Sequence, residues 1–352
     1  MNALFADPRR RTLTILGALA IVGLLLAVIA LHEQAEEVAP KYTPHEFFPG
    51  LAAEIQQAAR IHIVSKDKGA FDVVFKPSIG WVLPQKGDYP ASFAEVNKTL
   101  VGLAALETIE PKTSRADWLH DIDLDAPQHG GAGTEITVSN DKGKVLSALI
   151  IGRSEDIGDQ GGATGLFVRQ PDTDQSWLVR AEFQPANDPA DWIEKTLLNI
   201  DASRIQEADV DPLDGPSFEV RREKPGDTDF AIVNIPKGRE PASEGSGDSV
   251  AQAITGFSFT DVKPARDLDF SKSARVVTKT FNGLTVTVSI IHPGTDYWAQ
   301  VSAEAPYDNA KLSKEARQID VRTAGWAYKL PDYKGAQFAT TLESLLKPKP
   351  GK

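Results

Sequence analysis

The sequence predicts an α+β protein: a single N-terminal transmembrane helix, then two similar tandem α+β domains of mainly antiparallel sheets with packed helices. Three observations predict it. An unbroken apolar stretch follows three arginines, short strand-like runs outnumber helical ones, and several motifs recur roughly 150 residues apart.

The anchor comes first. Arg9, Arg10 and Arg11 precede "TLTILGALAIVGLLLAVIAL", Thr12 to Leu31, which carries no charge. At about 1.5 Å per residue such a helix is ~30 Å long, the thickness of a bilayer's hydrocarbon core. The stretch exceeds the apolar region of a signal peptide, and no clear cleavage site follows it. Basic residues before the span and Glu33, Glu36 and Glu37 after it place the N-terminus in the cytoplasm and the rest in the periplasm of a bacterial inner membrane. The expected divisions are a cytoplasmic N-terminus (1–11), the transmembrane helix (12–31), a stalk (32–50), a first unit (51–201), a second unit (202–347) and a tail (348–352).

Strand alternation begins at "RIHIVSK" and "AFDVVFK", which flank a "DKG" turn as a hairpin, with "GWVL" as a third strand. "SFAEVNKTLVGLAAL" reads as an amphipathic helix entered through a Ser92/Glu95 capping box, with Phe93, Val96, Leu100 and Leu103 facing inward. Strands follow at "TEITVSN", "KVLSALIIG", "GLFVRQ" and "SWLVR". A second helix is expected in "PADWIEKTLL", with Pro189 in its first turn and Trp192, Ile193, Thr196 and Leu197 facing inward.

The second half repeats this order. Arg60 and Ile61 match Arg204 and Ile205, and Phe71 and Val73 match Phe218 and Val220. "KGDYPAS" returns as "KGREPAS", Trp177 pairs with Trp326, and Leu197 and Leu198 pair with Leu345 and Leu346. Drifting offsets are what a duplicated unit with altered loops produces.

Composition narrows the chemistry. Absence of Cys excludes disulfides, thiolate metal sites and a catalytic thiol. A net charge of −11 has the wrong sign for a general nucleic-acid binder. The six His, at 32, 45, 62, 120, 129 and 292, form no metal-ligand spacing, and His62 is expected to point to solvent from a strand. "HGGAGTE" lacks the G-x-S-x-G partner of an esterase and reads as a flexible entry to a strand. "GDQGGATG" lacks the Lys of a phosphate loop. The acidic runs "DIDLD" and "DVDPLDG" fail the EF-hand pattern and read as solvated turns. Catalytic and metal residues are therefore expected to be none, with no cofactor.

The stretch "GWVLPQKGDYPAS" supplies the candidate binding residues, Trp81 and Tyr89. Trp81, like Trp118, Trp177, Trp192, Trp298 and Trp326, lies in or beside a predicted element and is expected to be a core aromatic. Its repeat counterpart is Phe230. Tyr89 aligns with Glu240, so it belongs to the first copy alone and carries the binding expectation.

With the Arg-led anchor, "FFPGLAAEIQQAARIHI", "GWVLPQKGDYPAS", "LETIEPKT", "GTEITV", "LIIGR", "GLFVR" and "DWIEKTLLNI" in that order, the chain resembles the bacterial "domain of unknown function 4340" family. The resemblance implies a membrane-anchored periplasmic protein, often encoded beside components of gliding-motility-type ABC transport systems, and supplies no catalytic residues. The expected role is a non-catalytic accessory or scaffold whose partners are the bilayer, through residues 12–31, and permease or accessory subunits of an ABC transporter. A periplasmic glycan- or peptidoglycan-binding module is the alternative, and a hydrolase with a dispersed carboxylate pair ranks below both.

Overall fold

A computed structural model of the chain describes residues 21–25, 27, 42–157, 164–181, 184 and 186–349. The predicted span 12–31 lies outside the described residues except for 21–25 and 27, which are helical. Among the described residues no helix is long and apolar enough to cross a membrane.

Alternating apolar and polar residues build a nine-stranded antiparallel sheet from β1 (Ala58–Ser65), β2 (Gly69–Lys76), β3 (Gly80–Leu83), β4 (Tyr89–Pro90), β5 (Glu107–Pro111), β6 (Thr134–Asn140), β7 (Val145–Asp156), β8 (Thr164–Arg169) and β9 (Ser176–Ala181). The order across it is β4-β3-β2-β1-β6-β7-β8-β9-β5. After β10 (Thr196–Leu198) come β11 (Ile205–Asp211), β12 (Phe218–Arg221), β13 (Ala231–Val233), β14 (Phe257–Ser258), β15 (Asp261–Pro264), β16 (Ala274–Thr280), β17 (Thr285–Ile291), β18 (Tyr297–Glu304) and β19 (Trp326–Leu330). Strands β10 and β14 pair with each other; the others form an eight-stranded sheet ordered β13-β12-β11-β16-β17-β18-β19-β15.

A four-strand meander in the first sheet (β1 to β4) and a three-strand one in the second (β11 to β13) join, through their first strands, the runs β6 to β9 and β16 to β19, whose last strands pair with the edge strands β5 and β15. Phe71 faces Ile63 and Phe218 faces Val210; Val73 faces Ile61 and Val220 faces Ala208; Trp177 faces Pro111 and Trp326 faces Pro264. These matched pairs therefore hold the same ladder positions. Arg60 and Arg204 do not, because Arg60 lies inside β1 whereas Arg204 precedes β11 and the residue opposite Val220 is Ala208.

Helix α1 (Phe93–Ala104) starts where Ser92 Oγ accepts from the Glu95 amide, as the capping pair predicts. Its buried stripe is Val96, Thr99 and Leu103, and Phe93 is exposed. At about 100° per residue Phe93 sits a quarter-turn away from that stripe, so the expected inward Phe93 is corrected. Helix α2 (Ala310–Thr323) seats Leu312 and Ala316 in the core, and its Asp320 carboxylate accepts from the Ala303 amide of β18 at 2.8 Å. The expected helix in "PADWIEKTLL" is also corrected: a 3₁₀ turn, Pro189–Trp192, gives way to extended Ile193 and strand β10. Adjacent Trp192 and Ile193 are both buried, and the Trp192 carbonyl accepts from the Ser92 amide instead of continuing a helix.

One apolar cluster runs through both sheets, from Ile61, Phe71 and Val138 to Val210, Phe257 and Val288. The seam between the sheets is filled by the corner that links β3 to β4. Tyr89 is buried there with its ring centroid 4.9 Å from Trp326 and 6.2 Å from both Phe259 and Tyr328. Lys86 Nζ lies 2.6 Å from Asp261 Oδ1. Gly87 has a φ of +73° and its backbone lies against Pro264, so a Cβ fits neither the turn nor the seam.

Candidate functional site

The predicted binding residues are structural in position. Burial pushes the Tyr89 hydroxyl's pKa up, and the ring is wedged between the sheets. Trp81 is half-buried, packed edge-on against Phe75 at 5.7 Å, and its carbonyl accepts from the Ala91 amide. No ring contact joins Trp81 to Tyr89 among the described residues. Trp192 and Trp298 are core aromatics as expected; Trp118 instead is 50% exposed, with the Arg115 guanidinium 4.4 Å from its ring centroid.

The two sheets differ most on the faces turned away from the main core. On the first sheet that face is covered over β7, β8 and β9. The segment joining β5 to β6 crosses it and buries Leu119 and Leu124 against Ile150, Phe167 and Leu178. Two of the three glycines of "HGGAG", Gly131 and Gly133, lie against the Asp125 backbone, and Gly152 of β7 lies against the Ile122 carbonyl. The stretch expected as a flexible entry is close-packed at Gly131 and Gly133. Arg169, buried on β8, donates to the Leu124 carbonyl at 2.8 Å and to those of Gln170, Pro171 and Thr173. The run "DIDLD" belongs to this cover, and no group of residues that could hold a metal ion occurs among the described residues.

On the second sheet the connection from β15 to β16 is shorter. It buries only a small patch of Ala265, Ile291, Trp298 and Ala327. The rest of the face is open, and strand alternation decides what it displays. With Ala208, Val210, Val220, Val276, Val288 and Val301 turned to the core, the opposite positions face solvent. The ladders align them in rows: Glu219, Asp209, Val277, Thr287 and Ser302 across β12, β11, β16, β17 and β18; beside them Asp211, Arg275, Ser289 and Gln300.

Two hollows lie along these rows, of about 500 Å³ over β11, β12 and β16 and about 240 Å³ over β17 and β18. Arg275 and Val277 line the first; their direct cross-strand neighbours Ser289 and Thr287 line the second. The two hollows flank the β16–β17 pairing, and the row across them is a shallow, interrupted trough. Along its flank Lys279 Nζ bridges Glu207 and Asp209 at 2.5 and 2.9 Å, and these carboxylates hold the amine's pKa above its ordinary value. Glu219 pairs with Arg221 at 3.2 Å, and Asp211 accepts from the Ser217 hydroxyl at 2.7 Å. Arg275 has neither hydrogen bond nor ion pair among the described residues. Its guanidinium therefore presents a free donor fork in the trough.

The corresponding face of the first sheet carries a closed network near β2. Asp72 accepts from Arg60 at 2.8 and 3.0 Å and lies 2.8 Å from His62 Nδ1. Burial alone raises the Asp72 pKa, but Arg60 and His62 outweigh it and hold the carboxyl below its usual range. His62 faces outward, as the alternation predicts.

The architecture is that of an antiparallel α+β protein with an open polar face on its second sheet. A family model described as "Domain of unknown function (DUF4340)" matches residues 81–271, more than half of the chain, and the chain belongs to that family. The matched stretch begins in β3, contains the seam residues Lys86, Gly87, Tyr89, Asp261 and Pro264, and ends before β16. No curated protein and no solved structure matches the chain.

Proposed function

We propose that this chain is a non-catalytic accessory or scaffold protein, held in the bacterial inner membrane by residues 12–31 and projecting two duplicated α+β units into the periplasm to serve an ABC-type transport or gliding-related system. The seam carries the reading. Two sheets that share one core and are locked by Tyr89, Gly87 and the Lys86–Asp261 pair make a stiff arm, which suits a part that holds partners at fixed separation. The strand order that the sheets share apart from the extra edge strand β4, and the matched ladder positions of Phe71 with Phe218 and Trp177 with Trp326, support duplication. The charge asymmetry around residues 12–31 supports the orientation.

The test is extraction of the full chain in mild detergent followed by cross-linking and mass spectrometry. Integral-membrane permease subunits recovered with the protein support the assignment; recovery of an uncrosslinked monomer counts against it.

A further inference from the structure

The trough on the second sheet is chemically more specific than a scaffold surface needs to be. We propose that it binds a neutral glycan chain laid across strands β12 to β18. This goes beyond the accessory role and depends on neither the anchor nor a transport partner.

Shape comes first. At about 4.8 Å per strand the rows from β12 to β18 extend ~20 Å, long enough for several sugar units in extended form. The trough runs across the strands, over backbone whose N–H and C=O groups are already used in the ladders. A peptide that binds by adding a strand needs an unpaired sheet edge, which the middle of this face does not offer. Recognition has to come from side chains.

Those side chains suit a polyol. Thr287, Ser289 and Ser302 hydroxyls both donate and accept, as does the Gln300 amide, and Asp209, Asp211 and Glu219 accept from hydroxyl donors. Arg275 supplies donors to ring, glycosidic or acetamido oxygens. A sugar chain offers such donors and acceptors together without net charge. Asp209, Asp211 and Glu219 disfavour a phosphate or uronate polymer, and with Lys279 on Asp209, Arg221 on Glu219 and Arg275 nearby they leave little net negative charge to draw in a polycation. Gly325 and Ala324 line the far end, where the absence of bulky side chains leaves room for a sugar ring.

The first sheet offers a comparison, since Leu119 and Leu124 cover its β7 to β9 and the Arg60–His62–Asp72 network occupies its β1 and β2.

The test uses the full chain in detergent micelles and a panel of soluble probes: tetramers of β-1,4-linked N-acetylglucosamine, cellotetraose and maltotetraose, with a heparin oligosaccharide and an oligolysine as charged comparators. Calorimetric titration is expected to show saturable binding of at least one neutral tetramer. R275A combined with S289A is expected to weaken it at least tenfold, while the thermal midpoint stays unchanged. Thr287→Val, which keeps the size and removes the hydroxyl, is expected to weaken it about threefold. The proposal is overturned if no neutral tetramer binds, if a charged comparator binds instead, or if the variants bind as tightly as the parent.

Discussion

The outward faces of the two sheets share a strand order and an inward alternation, yet the first is covered over β7 to β9 and the second is open across most of its width. The difference lies in the connection after the edge strand. In the first sheet it is long enough to cross the face, and Gly131, Gly152 and Arg169 press or pin it there. In the second it stops after a small patch around Trp298, and polar side chains occupy what is left. A sheet face is thus apolar or polar according to what the neighbouring loop can reach, and alternation alone does not settle which.

The largest expected effect breaks the seam that joins the faces into one body. Tyr89→Ala removes a buried ring touching Phe259, Trp326 and Tyr328, at a cost of about 3–5 kcal/mol by analogy with other aromatic truncations. Urea unfolding followed by tryptophan fluorescence should then separate into two transitions; a single unshifted transition means that the sheets do not rely on this plug. Gly152→Val comes next, because its side chain collides with the Ile122 carbonyl and lifts the cover from the first sheet. A loss of ~2–3 kcal/mol is expected, together with faster hydrogen exchange at residues 116–126. Unchanged exchange there would show that the cover is held by something other than this contact.

Asp72→Asn is expected to cost about 1 kcal/mol at neutral pH. The folded carboxyl is held below its ordinary value, so its stabilisation is present above pH ~4 and disappears as the pH falls through the ordinary value and then the folded one. Parent and variant stabilities measured from pH 7 to pH 2 should converge at the acid end. The smallest effect belongs to the open face: Arg275→Ala should change stability by less than ~0.5 kcal/mol. A larger loss in thermal unfolding would mean that the arginine supports the fold.

Much of the scaffold was readable from local signals. The β1–β2 hairpin, the Ser92/Glu95 helix entry and the alternation that turns His62 outward are all set by neighbours in sequence. What failed depended on distant partners. Phe93 is displaced from the buried stripe because α1 rests on Val96, Thr99 and Leu103, and residues 189–198 abandon helix because Trp192 and Leu198 have partners elsewhere in the chain. Trp118 remains half-exposed under Arg115 because the cover turns it outward. Tyr89 stood out because the aligned position in the second half is Glu240, and it is Tyr89 that fills the seam. The trough had a faint signal, the small polar residues alternating through "TVTVS" and "AQVSAE", but its openness depends on a connection that is short only by comparison with its counterpart.

The segment Tyr42–Phe47 has a consequence for assembly. It lies along the β5 edge, with Glu46 bridged to Glu107, the Phe47 amide bonded to the Leu106 carbonyl and Tyr42 resting on Trp177. In the second sheet the same station, β15 with Trp326, receives the corner of the first. With the His45 carbonyl on the Thr108 amide and the Phe47 amide on the Leu106 carbonyl, the residues before β1 use backbone groups that the β5 edge would otherwise offer to another strand.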